Sequence, residues 1–391
     1  MNEKLFFSPQ GCIVLMRKYV IAVLGIFACA ANAGAAAIDQ PQVTFGWFGS
    51  FGLSHSTMSS GDYVVDGSIP RGPGLSDSLS TANDTRIAAH MAAQMSQKVS
   101  VVIQVDSEYH TGNSYAPEVE FVNVKYALAP DTSVRAGRVA LPTFLESENR
   151  DVGYTYVWIH PPVEVYRQEP VTHADGFSFN YGLHGGSVGH SIKAVFGRAT
   201  IETSDAPAGN SLTSKNLWGI FDTSEYGPAI FHAGYLQRDT NSGDFLNGQT
   251  GTWVKDRDLS LGVQIDPGDW FAKSEWIQRK STYKTSAMYV SAGYRVKQFT
   301  PYLTWAQNSQ GSFLADYPAP SAEAVRLATR AQRTASIGMR WDFIKDTDLK
   351  FQLDQVKLSD NSNGFLVNVP ANVTLYGSKF YVISAVVDFI F

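Results

Sequence analysis

The chain has 391 residues, 44% apolar and 13% aromatic, with 33 glycines and a formal net charge of −5. That mild acidity argues against nucleic acid as a partner, and beyond the first thirty or so residues no apolar run reaches the length of about 18 that a membrane-spanning helix needs. What this composition leaves open is a chain whose apolar positions are diluted by strict alternation.

At the N-terminus, Arg17-Lys18 precede an apolar run from Tyr19 to Ala30, and Ala31-Asn32-Ala33 follow it. A charged start, a short apolar core and an A-x-A site make a secretory signal peptide. Met16 is a better start than Met1, and the cut is expected after Ala33, with Ala37 as the alternative. A rival reading takes Cys29, behind Ile26-Phe27-Ala28, as a lipidation site, a pattern that Phe27 fits poorly. The division expected is a signal peptide over 1–33 and a single domain over 34–391. Both cysteines, Cys12 and Cys29, lie in the removed segment, so disulfides hold nothing in the mature chain. Loss of Glu3, Lys4, Arg17 and Lys18 takes the formal charge from −5 to −7.

From there the pattern is strand-like throughout. Segments of two-residue alternation predict strands at 43–53, 84–95, 99–109, 117–128, 132–138, 175–184, 188–200 and 214–224. Eight more are expected at 228–238, 257–265, 269–279, 284–296, 299–309, 332–343, 348–358 and 377–391. A misread hairpin in 54–83 or 310–331 would change the total from sixteen to fourteen or eighteen. Short links such as Ala129-Pro130-Asp131, Gly185-Gly186-Ser187 and Asp266-Pro267-Gly268 carry turn chemistry. Long polar links run through 54–83, 139–174, 239–256, 310–331 and 359–376, and within the fourth of these Ala322–Ala331 has helical spacing. Short turns on one side and long loops on the other predict an all-β, transmembrane antiparallel barrel in a lipid bilayer. A soluble β-sandwich also alternates, but sixteen regular strands exceed what two packed sheets hold.

The final strand is the clearest element. Tyr381, Ile383, Ala385, Val387, Phe389 and Phe391 share one face, against Val382, Ser384, Val386, Asp388 and Ile390 on the other. Ten steps at about 3.4 Å, tilted by about 40°, rise roughly 26 Å, close to the apolar band of such barrels. The aromatic close, with Tyr381, Ile383, Val387, Phe389 and Phe391 as its apolar marks, resembles the assembly signature of outer-membrane barrels. Phe177, Phe179, Tyr181 and Leu183 alternate in the same way with Ser178, Asn180, Gly182 and His184, so the interior must be wet.

The opening Val43-Thr44-Phe45-Gly46-Trp47-Phe48-Gly49, with Gly52-Leu53 behind it, is similar to the first strand of the Gram-negative general porins. The resemblance spans the mature chain in architecture and is strong in motif at the two ends. It implies a sixteen-stranded homotrimeric barrel of the outer membrane, passing ions and small hydrophilic solutes, whose long third loop folds inward to narrow the pore. The segment after the fifth strand fits that loop by position. It lacks the Pro-Glu-Phe-Gly-Gly type of turn found in better-known members, yet carries Phe144, Tyr154, Tyr156, Trp158 and Tyr166, rings that a solvated loop could not bury.

The expected constriction sets Glu146, Glu148 and Asp151 on this loop against Arg86, Arg135, Arg138 and Arg340 on the wall. Opposed charges would order water and tune ion preference, and guanidiniums keep their charge when crowded. The bland alternative is that these groups only solvate a wet lumen. The net charge weighs against a pore specialised for anions, the arginines near the fifth strand favour carboxylates, and lumen aromatics would suit sugars. None of these hints selects a solute. No catalytic residue, metal site or cofactor is expected, because the eight histidines are scattered outside any H-E-x-x-H or G-x-S-x-G context. A barrel plugged by its own loops and serving as a receptor, or less readily a lipid-acting enzyme, stays open as an alternative.

Overall fold

The computed structural model describes residues 37–203, 211–241, 253–313 and 329–391. The expected signal segment 1–33 and residues 322–328 of the expected helical stretch lie outside these.

The described residues form sixteen strands. In chain order the first eight are β1 (Ala37–Ser56), β2 (Arg86–Ser96), β3 (Val99–Glu108), β4 (Glu118–Ala129), β5 (Thr132–Ala140), β6 (His173–Gly185), β7 (Val188–Glu202) and β8 (Ser211–Tyr226). The second eight are β9 (Ala229–Asn241), β10 (Val254–Ile265), β11 (Trp270–Lys280), β12 (Tyr283–Tyr294), β13 (Phe299–Phe313), β14 (Gln332–Ile344), β15 (Thr347–Leu358) and β16 (Lys379–Ile390). Each pairs antiparallel with its sequence neighbours, and β1 pairs with β16, so the sheet is a closed barrel with no free edge. All sixteen expected strands are present; β1 begins six residues before its expected start, and the other ends differ by up to four residues in either direction.

Alternation sorts the side chains as the sequence requires. In β10, Leu259 and Leu261 are exposed while Asp258 and Ser260 are buried, and in β6 Phe177 and Phe179 stand out while Ser178 is buried. In β16, Ile383 is 56% exposed and Val382 is 0% exposed, which fixes the apolar face as the outer one. An outward apolar wall around a polar, hydrogen-bonded interior is the only arrangement in which this sheet can sit in hydrocarbon.

One end of the barrel carries tight turns, where Gly186, Gly227 and Gly268 take positive φ. The other carries loops, among them 57–85, 141–172 and 359–378, with the two-residue link 281–282 as a tight exception. Residues 141–172, here called the inner loop, contain a 3-10 turn (Gly153–Thr155) and a single helical turn, α1 (Val163–Tyr166). Phe144, Tyr156, Trp158 and Tyr166 of the loop are buried with Phe271, Ile277, Tyr289 and Tyr302 of the barrel wall, and Tyr154 is half-buried. The loop is therefore packed inside the barrel. Its aromatic content, anomalous for a solvated segment, is explained by that burial.

Candidate functional site

The inner loop is fixed to the wall along its whole length. Tyr289 and Tyr166 both donate to Glu275 Oε1, at 2.8 and 2.7 Å, and Glu275 Oε2 accepts from the Leu145 amide at 2.7 Å. Trp158 Nε1 reaches Ser291 Oγ at 2.9 Å and Thr304 Oγ1 at 3.0 Å. Glu164 accepts from Gln332 at 2.7 Å and from Thr334 at 2.5 Å. The returning limb ends on a buried charge cluster. Glu169 meets Arg238 at 2.6 Å, and Arg238 also meets Asp258 at 3.1 Å, while Arg279 holds Asp256 at 2.5 Å.

Near its tip the loop crosses the lumen. Lys350 donates to Gly153 O at 2.6 Å and pairs with Asp388 at 2.8 Å, and Ser50 donates to Asp388 from the adjoining strand. The approach is so close that a Cβ on Gly153 would lie 2.1 Å from Asp388 Oδ1, which only glycine avoids. On one side of the tip, Asp151 pairs with Arg86 of β2 at 2.7 Å. On the other, Glu148 pairs with Lys193 of β7 at 2.5 Å. Between those two bridges lies the lumen wall of β2–β7, and the gap bounded by this wall and residues 148–151 is bordered by charge on both sides.

Charge along the gap is segregated. On the loop side, Arg86 faces Glu108 across the β2–β3 pair, and Asp106 faces Glu118 across the β3–β4 pair. A bulge between Gln104 and Val105 of this pair sets Glu120 as an extra residue of β4, in the same electrostatic neighbourhood as Asp106, Glu108 and Asp151. Arg150 pairs with Asp66 at 3.0 Å. Toward the turns the wall is basic, with Lys125, Arg135 and Lys193. Burial raises the Glu148 carboxyl, but Lys193 and Arg135 outweigh it and hold the group below its ordinary value. Asp66 behaves alike: burial opposes its charge, and Arg150 together with the Ser68 amide and hydroxyl more than restores it. His160 is drawn the other way, since burial disfavours its charge but Asp84 at 2.9 Å raises it above the ordinary imidazole value.

The seven expected constriction residues divide. Arg86, Arg135, Glu148 and Asp151 border the gap. Glu146 is buried in an ion pair with Lys273 of β11, and Arg340 donates to Tyr154 O at 2.6 Å and Tyr156 O at 3.2 Å, so both hold the loop in place. Arg138 is a correction. It lies on the face of β5 opposite to Arg135 and pairs at 2.8 Å with Asp175, which shares its face of β6 with the outward Phe177 and Phe179. Lys125, Lys193, Arg150 and the acids of β3 and β4 were not singled out by sequence. Alternation alone could have found the strand residues, because Lys193 and Val195 must face away from the outward Phe196.

No protein-family model matches the sequence, and no curated protein does. Solved structures match the fold. The anion-selective porin of Comamonas acidovorans is 14% identical with a TM-score of 0.58, over 90% of this chain and 100% of that one. The outer membrane channel DcaP of Acinetobacter baumannii is 14% identical with a TM-score of 0.55, over 89% and 97%. The trimer form of OmpT, an outer membrane protein of Vibrio cholerae, is 11% identical with a TM-score of 0.53, over 90% and 100%. A closed sixteen-stranded antiparallel barrel, a wet interior and a long loop folded into it are thus found together with a fold match across whole chains: this chain has the porin fold.

Proposed function

We propose that the protein is a passive diffusion channel of the outer membrane, passing ions and small hydrophilic solutes, and that it works without catalysis. The observation that carries this is the tethering of the inner loop. It is held against β9–β16, and at its tip it reaches across to β2 and β7, leaving the charged lumen wall of β2–β6 uncovered by its rings. A plug would carry its rings onto that wall too, whereas the apolar contacts of this loop with it are Leu141 and Val171, at the loop's two ends, against Val139 and Ala174. The fixed acids and bases on either side of the gap order water and raise the barrier for apolar solutes.

Single-channel recording of the refolded protein in a planar bilayer tests this, and stepwise openings are the expected result. A folded, heat-modifiable barrel that never opens would defeat the channel and favour the plugged receptor.

We also infer a homotrimer, on the outer faces of β2–β4. The register sets Ala89, Met91 and Ala93 of β2 beside Val105, Ile103 and Val101 of β3, and Val122 and Val124 of β4 follow. From Ala89 to Val124 the side chains of this face are aliphatic, Ala93 and Val101 being buried and Tyr126 of β4 marking its turn end, whereas β6 and β8 present Phe177, Phe179 and Trp218. Aromatic rings favour lipid interfaces, and a smooth aliphatic face suits contact with another copy.

A further inference from the structure

On the lumen wall of β4–β7, cross-strand pairing sets Lys125 directly opposite Arg135, and Arg135 opposite Ser178. One rung toward the turns, Ser133 lies opposite Asn180, and Asn180 opposite Lys193. Three cations therefore occupy two adjacent rungs. Like charges directly opposite destabilise an antiparallel pair, and among the described residues neither Lys125 nor Arg135 makes an ion pair or a side-chain hydrogen bond. The loop places one acid here, Glu148, and it is engaged with Lys193.

Two further observations fall on the same patch. Arg135 Nε, Ser178 Oγ and Asn180 Nδ2 are buried polar atoms without a hydrogen-bond partner, and Ser178 is 0% exposed. A cavity of about 250 Å³ opens one rung nearer the turns than Arg135 and Ser178, lined by Lys125, Ser133, Asn180 and Ser191 together with Asp131 and His184. Asp131 lies 3.6 Å from His184. Two cations without an ion pair or side-chain hydrogen bond, of which Arg135 also lies within the field of Glu148, several neutral donors and an adjoining polar cavity are complementary to an oxyanion.

We propose that this wall is a binding station for the carboxylate of a permeating solute, held between Lys125 and Arg135. The assignment rests on the channel reading above. Glu148 shows the chemistry in place: it is a carboxylate already bound to the third cation of the same patch, and the solute takes the equivalent position on the other two. The planar fork of Arg135 fits a carboxylate in two-point contact, and the station lies toward the turn end of the lumen.

The test uses succinate as the probe on single channels of the full-length refolded protein in potassium chloride. Succinate added on the turn side should interrupt the current in a concentration-dependent way. Lys125→Gln and Arg135→Gln should each raise the half-blocking concentration by about tenfold, the loss of one charge-assisted contact. Lys345→Gln, on an exposed turn, should leave it unchanged. Because Lys125→Gln relieves a like-charge pair, its thermal transition should rise, which separates loss of the station from misfolding. Equal block in wild type and Lys125→Gln, or open wild-type channels that succinate never interrupts, overturns the station and leaves the channel standing. Inorganic phosphate blocking as well as succinate overturns the carboxylate assignment. A barrel that never opens defeats the channel reading instead, and the station then fails unless succinate raises the thermal transition of the wild type and not of Lys125→Gln.

Discussion

Individual charges in this lumen have distinguishable jobs. Glu148 and Arg135 stand on opposite sides of the gap, so neutralising them should move ion preference in opposite directions. Glu148→Gln is expected to shift the reversal potential in a salt gradient toward anions and Arg135→Gln toward cations, both with normal heat-modifiability. A shift of the same sign in both would contradict the arrangement. Arg238 is a structural charge instead. It is 0% exposed and faces Glu169, Asp256 and Asp258. Arg238→Met leaves buried carboxylates uncompensated, at a cost of about 3–5 kcal/mol, and a markedly lowered thermal transition in detergent would register it. The sequence made Arg86 and Asp151 legible as candidates on opposite sides of the gap, since one stands on the polar face of a strand and the other on an acidic loop, and their pairing with each other comes from the structure. The sequence could not separate Glu148 from Glu146, two residues apart on an irregular segment. Only the loop's path sends one to the gap and the other to Lys273.

At the scale of the inner loop, the two limbs respond oppositely to pH. Lys193 holds the Glu148 carboxyl below its ordinary value. Its contribution is therefore complete above the unfolded carboxyl value of about 4.3 and is lost as pH falls through the lower folded value. His160 is raised above its ordinary value by Asp84, so its contribution is complete below about 6.5 and fades as pH rises through the higher folded value. Hydrogen exchange should show residues 144–151 loosening in acid and residues 158–167 loosening in mild alkali. Uniform loosening of both would refute this division. The strands themselves were readable because a period of two survives any tilt or register. The inner loop was visible through its rings, whereas the bulge at Glu120 changes one rung locally and leaves no periodic trace.

At the scale of the whole barrel, acids gather at the loop end of the gap and cations toward the turns. A pore charged in this way conducts unequally in the two directions while screening is weak. Rectification is expected at low salt and should vanish at 1 M, where the screening length falls to about 3 Å. A straight current–voltage relation at both salt levels would show that the segregation does not reach the conducting path. The aliphatic outer face of β2–β4 predicts that Val124→Arg yields folded monomers on size-exclusion chromatography where the wild type runs as trimers. Monomers in both cases would place the subunit contact elsewhere or remove it.

The seam between β1 and β16 also has a kinetic meaning. Ser50 and Asp388 are 338 positions apart, and their hydrogen bond, the Lys350 ion pair and the seat of Gly153 form one knot. Contacts so distant along the chain form late, because loop-closure entropy opposes them until the intervening hairpins have formed. The inner loop cannot find its final seat before the cylinder shuts. Insertion intermediates should accordingly be leaky and unselective, with a gated conductance arriving in a single late step.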